Sequence, residues 1–132
     1  MGTVQAAKIL LVLSFVLWTR GLWSGPAESW ESIRSFAFFS ECRQEALRLA
    51  EVDKNRYPFG PRENIVNLSA STSRTDLGAS ASVSWQTPEQ QSKLAAARKD
   101  YPGLIGGTPW SEGITVEYEC WHSDVDLNKI RR

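Results

Sequence analysis

Four residues near the C-terminal end carry side chains that can bind a metal ion: Glu119, His122, Asp124 and Asp126. Carboxylate and imidazole are common ligands, and a metal held there would serve a small hydrolase or another metal-dependent enzyme. Spacing weighs against it, because Glu119 and His122 differ by three and point to opposite faces of a strand. The simpler reading is a solvated strand end followed by an acidic tail. Cys120 and His122 do share a face, as a nucleophile and its base would. A disulfide would consume that thiol, however, and no residue is placed to orient the imidazole. Glu117 and Glu119 share the other face and could form a carboxylate pair, but they read more simply as the polar side of an amphipathic strand. No residue is assigned a catalytic role. The glycines at 103, 106 and 107 form no phosphate-cradling pattern, so no cofactor is expected.

These residues sit on the most regular element of the chain. In ITVEYECWH, residues 114–122, Ile114, Val116, Tyr118, Cys120 and His122 alternate with Thr115, Glu117, Glu119 and Trp121, which predicts a strand over 113–121 with one core face. The aromatic-rich stretch SWESIRSFAF predicts a second strand over 29–38. Ser40 then stands as an N-cap, and Cys42, Ala46, Leu49 and Ala50 repeat with helical period, so an amphipathic helix is predicted over 40–53. It ends before Tyr57-Pro58-Phe59-Gly60-Pro61. Thr87-Pro88-Glu89-Gln90 is a capping box with proline at the first helical position, which predicts a helix over 87–100. Its apolar stripe of Leu94, Ala97 and Tyr101 is thin, so it is expected at the periphery. Between the helices, Val66, Leu68 and Ala70 alternate with polar residues, as do Ala79, Ala81, Val83 and Trp85 with serines. Two weak strands joined through Thr72–Gly78 fit this pattern; a serine-rich disordered insert over 62–86 fits the composition as well. Asn67-Leu68-Ser69 is a glycosylation sequon, to which no role is given.

The two cysteines, Cys42 and Cys120, fall on core-facing positions of the predicted helix and strand, far apart and outside any zinc or redox spacing. A disulfide between them is the expected use after export; two buried free thiols in a reducing compartment are the alternative.

The chain of 132 residues is sized for one domain with a small core. Lys plus Arg and Asp plus Glu both number 15, so no overall field draws it to nucleic acid, and nucleic-acid binding is not expected. Six tryptophans are read as packing anchors. Residues 9–18 are apolar except Ser14, with Lys8 before them and Arg20 after. Ten residues are half of the ~20 that a membrane-spanning helix needs. A basic start, a short apolar run and the small residues Gly25 and Ala27 resemble a secretory signal, giving a signal-like segment over 1–27 and a domain over 28–132. Two other fates stay open: retention as a membrane-associated segment through residues 9–18, or folding as a central strand, which a continuous apolar run suits. Glu41 before the first cysteine rules out a lipid-modified one.

The pieces VLWTR (16–20), SWESIRSFAFFSECRQEA (29–46) and YECWHSDVD (118–126) resemble a family of short, uncharacterised exported bacterial proteins. The resemblance covers about a third of the chain. It implies a first strand through Val16, Leu17 and Trp18, a helix start marked by Trp30, Phe36 and Cys42, and a last strand with Cys120 followed by Asp126. Phe38 stands where the family has a capping serine. No activity comes with the resemblance.

The whole points to an α+β domain: a small antiparallel sheet packed on one main helix, with a second peripheral helix. The expected protein is exported, whether periplasmic, secreted or membrane-associated, and serves as a non-catalytic interaction or structural module with its partner unnamed. A small hydrolase or metal-dependent enzyme using the acidic strand end is the alternative.

Overall fold

The computed structural model describes residues 14–23, 28–57, 64–105 and 109–130. Five antiparallel strands form one sheet: β1 (Phe15–Trp23), β2 (Glu31–Phe36), β3 (Val66–Arg74), β4 (Gly78–Gln86) and β5 (Glu112–His122), in the order β2-β1-β5-β4-β3. Helix α1 (Phe39–Arg56) lies on one face, and α2 (Pro88–Asp100) makes only slight contact, with β4. This is the α+β arrangement that the patterning predicts.

Strand β5 comes last in the chain and sits at the centre. It pairs with β1 from Phe15–His122 to Trp23–Ile114, and with β4 from Gly78–Glu119 to Trp85–Glu112. Its predicted core face is realised, since Ile114, Val116, Tyr118 and Cys120 are all buried against α1. Across the ladders they meet Leu17 of β1 and Ala79, Ala81 and Val83 of β4. From α1 come Cys42, Ala46 and Ala50, whose small side chains let the helix approach the sheet closely. Gly78 is required by a different close approach, that of β4 to β5, because a Cβ there would lie 2.1 Å from the carbonyl oxygen of Tyr118.

Cys42 in the first turn of α1 and Cys120 of β5 are joined as a disulfide, their Cα atoms 6.1 Å apart. A bridge across a 78-residue separation stabilises the fold by about 4 kcal/mol on the chain-entropy account. At the other end of α1, buried Asp53 accepts a hydrogen bond from the Tyr118 hydroxyl.

The structure corrects two expectations, the start of α1 and the extent of β2, and shows which of the open alternatives the described parts of the early apolar run and of the serine-rich middle adopt. Residues 15–23, inside the segment read as signal-like, form β1, held between β2 and β5, which is the strand alternative left open for the apolar run. Leu17 is fully buried there, so the apolar run is used as core. Its first residues, 9–13, and the expected cleavage after Ala27 lie outside the described residues. Helix α1 begins one residue before Ser40, with Phe38 at the N-cap position and no side-chain cap bond. Ring packing of Phe39 on Phe15, with centroids 5.6 Å apart, and the cysteine bond set that start in place of a cap. The strand expected over 29–38 is shortened to β2, because Trp30 is buried outside the ladder and Phe38 serves the helix. The serine-rich middle forms the two strands that its alternation predicts: β3 and β4 run longer than expected and meet at a tight turn, where the Thr75 amide donates to the Gly78 carbonyl at 3.0 Å. Small polar side chains suffice because backbone pairing of β3 to β4, and of β4 to β5, holds them. Helix α2 carries the predicted capping box, with Gln90 N–H donating to Thr87 Oγ1 at 3.1 Å and Thr87 N–H to Gln90 Oε1 at 3.0 Å.

Leu17 sits in the principal core cluster, whereas Leu94, the buried residue of α2, lies outside it. Leu17→Ala should therefore cost about 3 to 5 kcal/mol and Leu94→Ala about 2 kcal/mol, where fewer neighbours are left around the cavity. Urea melts of both variants check the ranking, and a larger loss for Leu94→Ala would contradict the placement of the core.

Candidate functional site

Alternation along the strands sends a second set of side chains to the face opposite α1. From β1 these are Val16, Trp18, Arg20 and Leu22; from β5, Thr115, Glu117, Glu119 and Trp121; from β4, Ser80, Ser82 and Ser84; from β3, Ser69, Ser71 and Ser73. The register sorts them into two unlike halves.

The half over β1 is aromatic and covered. After β5 the chain folds back, and Leu127 becomes fully buried in a single 3-10 turn (Leu127–Lys129). Asn128 clasps Trp30 reciprocally: the Trp30 amide donates to Asn128 Oδ1 and Asn128 Nδ2 donates to the Trp30 carbonyl, each at 2.9 Å. The Arg20 guanidinium stacks on the Trp30 ring at 4.5 Å and its Nε reaches Glu117 at 3.2 Å. Trp121 Nε1 donates to Glu119 at 2.8 Å. Glu119 is buried, although alternation placed it on the solvated side.

The half over β3 and β4 is a flat array of hydroxyls. Ser69, Ser71 and Ser73 lie directly across from Ser84, Ser82 and Ser80, and the next strand sets Thr115 beside Ser82, their oxygens 3.0 Å apart. Five of these serines are exposed. Where the halves meet, Thr75, Ser80, Thr115, Glu117 and Glu119 border a hollow of about 120 Å³. Hydroxyls there face carboxylates already engaged by Arg20 and Trp121, so the surface offers hydrogen bonding rather than a reacting group.

The metal-site candidates are not brought together. Glu119 lies on the covered half of this face. His122 lies at the end of the other face, its ring edge-on to Phe15 with centroids 5.8 Å apart. Its Nδ1 is 2.8 Å from Asp124, and both side chains are exposed. Asp126 is occupied as the cap of the 3-10 turn, accepting from the Asn128 amide at 3.0 Å. Among the described residues no three His, Cys, Asp or Glu side chains converge on a point that could hold a metal ion. Cys120 and His122 share a face as spacing implied, but the Cys120 sulfur is bonded to Cys42. The sequon residue Asn67 occupies a bulge at φ 55°, its amide donating to Gln86 Oε1 at 2.6 Å.

The buried acid–phenol pair found among the described residues, Asp53 with Tyr118, escaped the sequence reading because Asp53 looks like a polar residue of a helix end. Its signal is the helical period: position 53 falls on the stripe of Cys42, Ala46 and Ala50. Burial, and then the adjacent Asp53 carboxylate, push the Tyr118 hydroxyl well above the usual phenol range. Burial raises Tyr57 in the same direction. The pair is enclosed by α1 and β5, which makes it a fastening and not a reaction centre.

No protein-family model matches this chain, and neither a curated protein nor a solved structure does.

With its folded value above the unfolded value of about 10, Tyr118 stabilises the fold fully below pH ~10, and that contribution is lost as pH rises through the folded value. Tyr118→Phe should remove this alkaline slope and cost about 1 to 3 kcal/mol at neutral pH, where Asp53 loses its donor in a buried site. Urea melts at neutral pH and above pH ~10 measure both; an alkaline slope as steep in the variant as in the wild type would contradict the assignment.

Proposed function

We propose that this protein is an exported, non-catalytic interaction module that presents the hydroxyl-rich half of its sheet to a partner. The observation that carries this reading is the division of the face opposite α1. One half is covered by the returning chain and its carboxylates are engaged; the other is flat, exposed and lined with Ser and Thr at strand spacing. Such a surface forms many weak, replaceable hydrogen bonds, which suits recognition by shape and polar matching. Export is supported by the Cys42–Cys120 bridge, since disulfides persist in oxidising compartments. No described helix is long and apolar enough to cross a membrane. Membrane association through residues 9–18 would have to use the part of that run preceding β1, because residues from Phe15 onward are paired on both edges.

The competing enzyme reading requires the acidic strand end to gather a metal. Titration of the full chain with zinc, manganese, magnesium and calcium, each followed by thermal melting, separates the two. The expected result is no saturable rise in Tm and an unchanged melt for His122→Ala. A saturable rise that His122→Ala abolishes would overturn the non-catalytic reading in favour of the metal-dependent one.

A further inference from the structure

The two outer strands of the sheet are built differently. At one edge, β2 has six residues, carries Glu31 and Arg34, and bulges opposite Leu17 and Trp18, three devices that stop a strand edge from pairing with another chain. At the other edge, β3 has nine residues and no charge from Val66 to Ser73, and its bulge is confined to the end at Asn67, leaving Ser69–Arg74 in regular register. Its outward groups follow from the turn. Thr75 and Gly78 are a hydrogen-bonded pair, so Ser73, Ser71 and Ser69 exchange bonds with β4 in alternation. The N–H and C=O groups of Ala70, Thr72 and Arg74 are therefore aimed away from the sheet. No bond to them exists among the described residues.

We infer that β3 is a pairing edge and that its occupant is a second copy of this chain, joined antiparallel about a twofold axis near Ser71 or Thr72. Charge selects this arrangement. Antiparallel pairing sets Arg74 across from Leu68 or Ala70 of the second copy, whereas parallel pairing in register would stack Arg74 on Arg74. The chain has zero formal net charge, so no long-range repulsion opposes the approach. The axis stands perpendicular to the sheet, which keeps both α1 helices on one side and joins the two serine arrays into one surface on the other. Pairing uses both β3 edges and leaves only the two β2 edges outside, so association stops at two copies. A single strand edge buries less than the ~1,600 Å² of a standard interface, which puts the dissociation constant in the micromolar to millimolar range. The inference rests on the edge alone and holds whatever the hydroxyl surface recognises.

Sedimentation equilibrium of the full chain from about 10 µM to about 1 mM tests it. The expected result is a mass that climbs from 14.8 kDa toward twice that value. Ala70→Pro removes an outward N–H and leaves the ladder to β4 intact, so it should raise the dissociation constant at least about tenfold with little change in Tm. Ser71→Lys, an exposed change that sets like charges across the axis, should weaken association at low salt and recover it at high salt. Should Ala70→Pro fail to fold, Ser71→Lys decides. A mass of 14.8 kDa at every concentration, or association that Ser71→Lys leaves unchanged, would overturn the inference.

Discussion

The bond between Cys42 and Cys120 fixes the first turn of α1 to the central strand, and the rest of the fold is arranged around that point. Strand β5 is the last to leave the chain's N-to-C order, yet it lies between β1 and β4. The sheet is closed only when residues more than ninety positions apart, Phe15 and His122 among them, have met. Contacts so distant in sequence cost loop-closure entropy before they return any burial. A covalent tie to β5 and the Asp53–Tyr118 hydrogen bond at the far end of α1 offset part of that cost. Both lie on one face of β5, two residues apart, so the helix is held at both ends by a single strand.

This fastening decides what the two faces of the sheet can do. Once α1 covers one face with small residues at close range, the core is complete and the opposite face is free of packing duty over β3 and β4. Serine is tolerated there because neither face-to-face packing nor apolar burial is asked of it. Over β1 the situation differs: Trp30 is too large to leave in water, and the segment carrying Leu127 and Asn128 returns to hold it in a buried place. This makes a second, smaller packed layer. The Trp18 indole nitrogen is buried there without a hydrogen-bond partner among the described residues, a local cost that the layer carries.

Much of this was legible in the sequence wherever one periodicity ruled. Strand β5 has strict alternation, and α2 has a capping box; both appear where the pattern places them. The inward positions of Cys42 and Cys120 followed from two independent periods. Legibility failed where tertiary contact overrides local chemistry. Ser40 is a better cap than Phe38, yet with Phe39 packed on Phe15 the cap position falls two residues earlier. The run at residues 9–18 suits a signal by length and flanks and a central strand by its continuous apolar character, and its pairing with two strands shows its latter part as core. Glu119 illustrates the same limit, since alternation places it on the polar side and nothing local announces that it will be buried with the Trp121 indole as its donor. The hydroxyl array was hidden for a different reason: period-two serines resemble low-complexity sequence until neighbouring strands bring them into register.

The central claim, that the cysteine bond and its strand hold α1 in place and thereby define both faces, is tested most directly by native-state hydrogen exchange on the oxidised and the reduced protein. Protection of the α1 and β5 amides should be strong when oxidised and fall together on reduction, by about the 4 kcal/mol assigned to the bridge. The outward amides of Ala70 and Thr72 should exchange fast in both forms at concentrations where the chain is monomeric. Protection of α1 that is unchanged by reduction, or absent in the oxidised protein, would contradict the account.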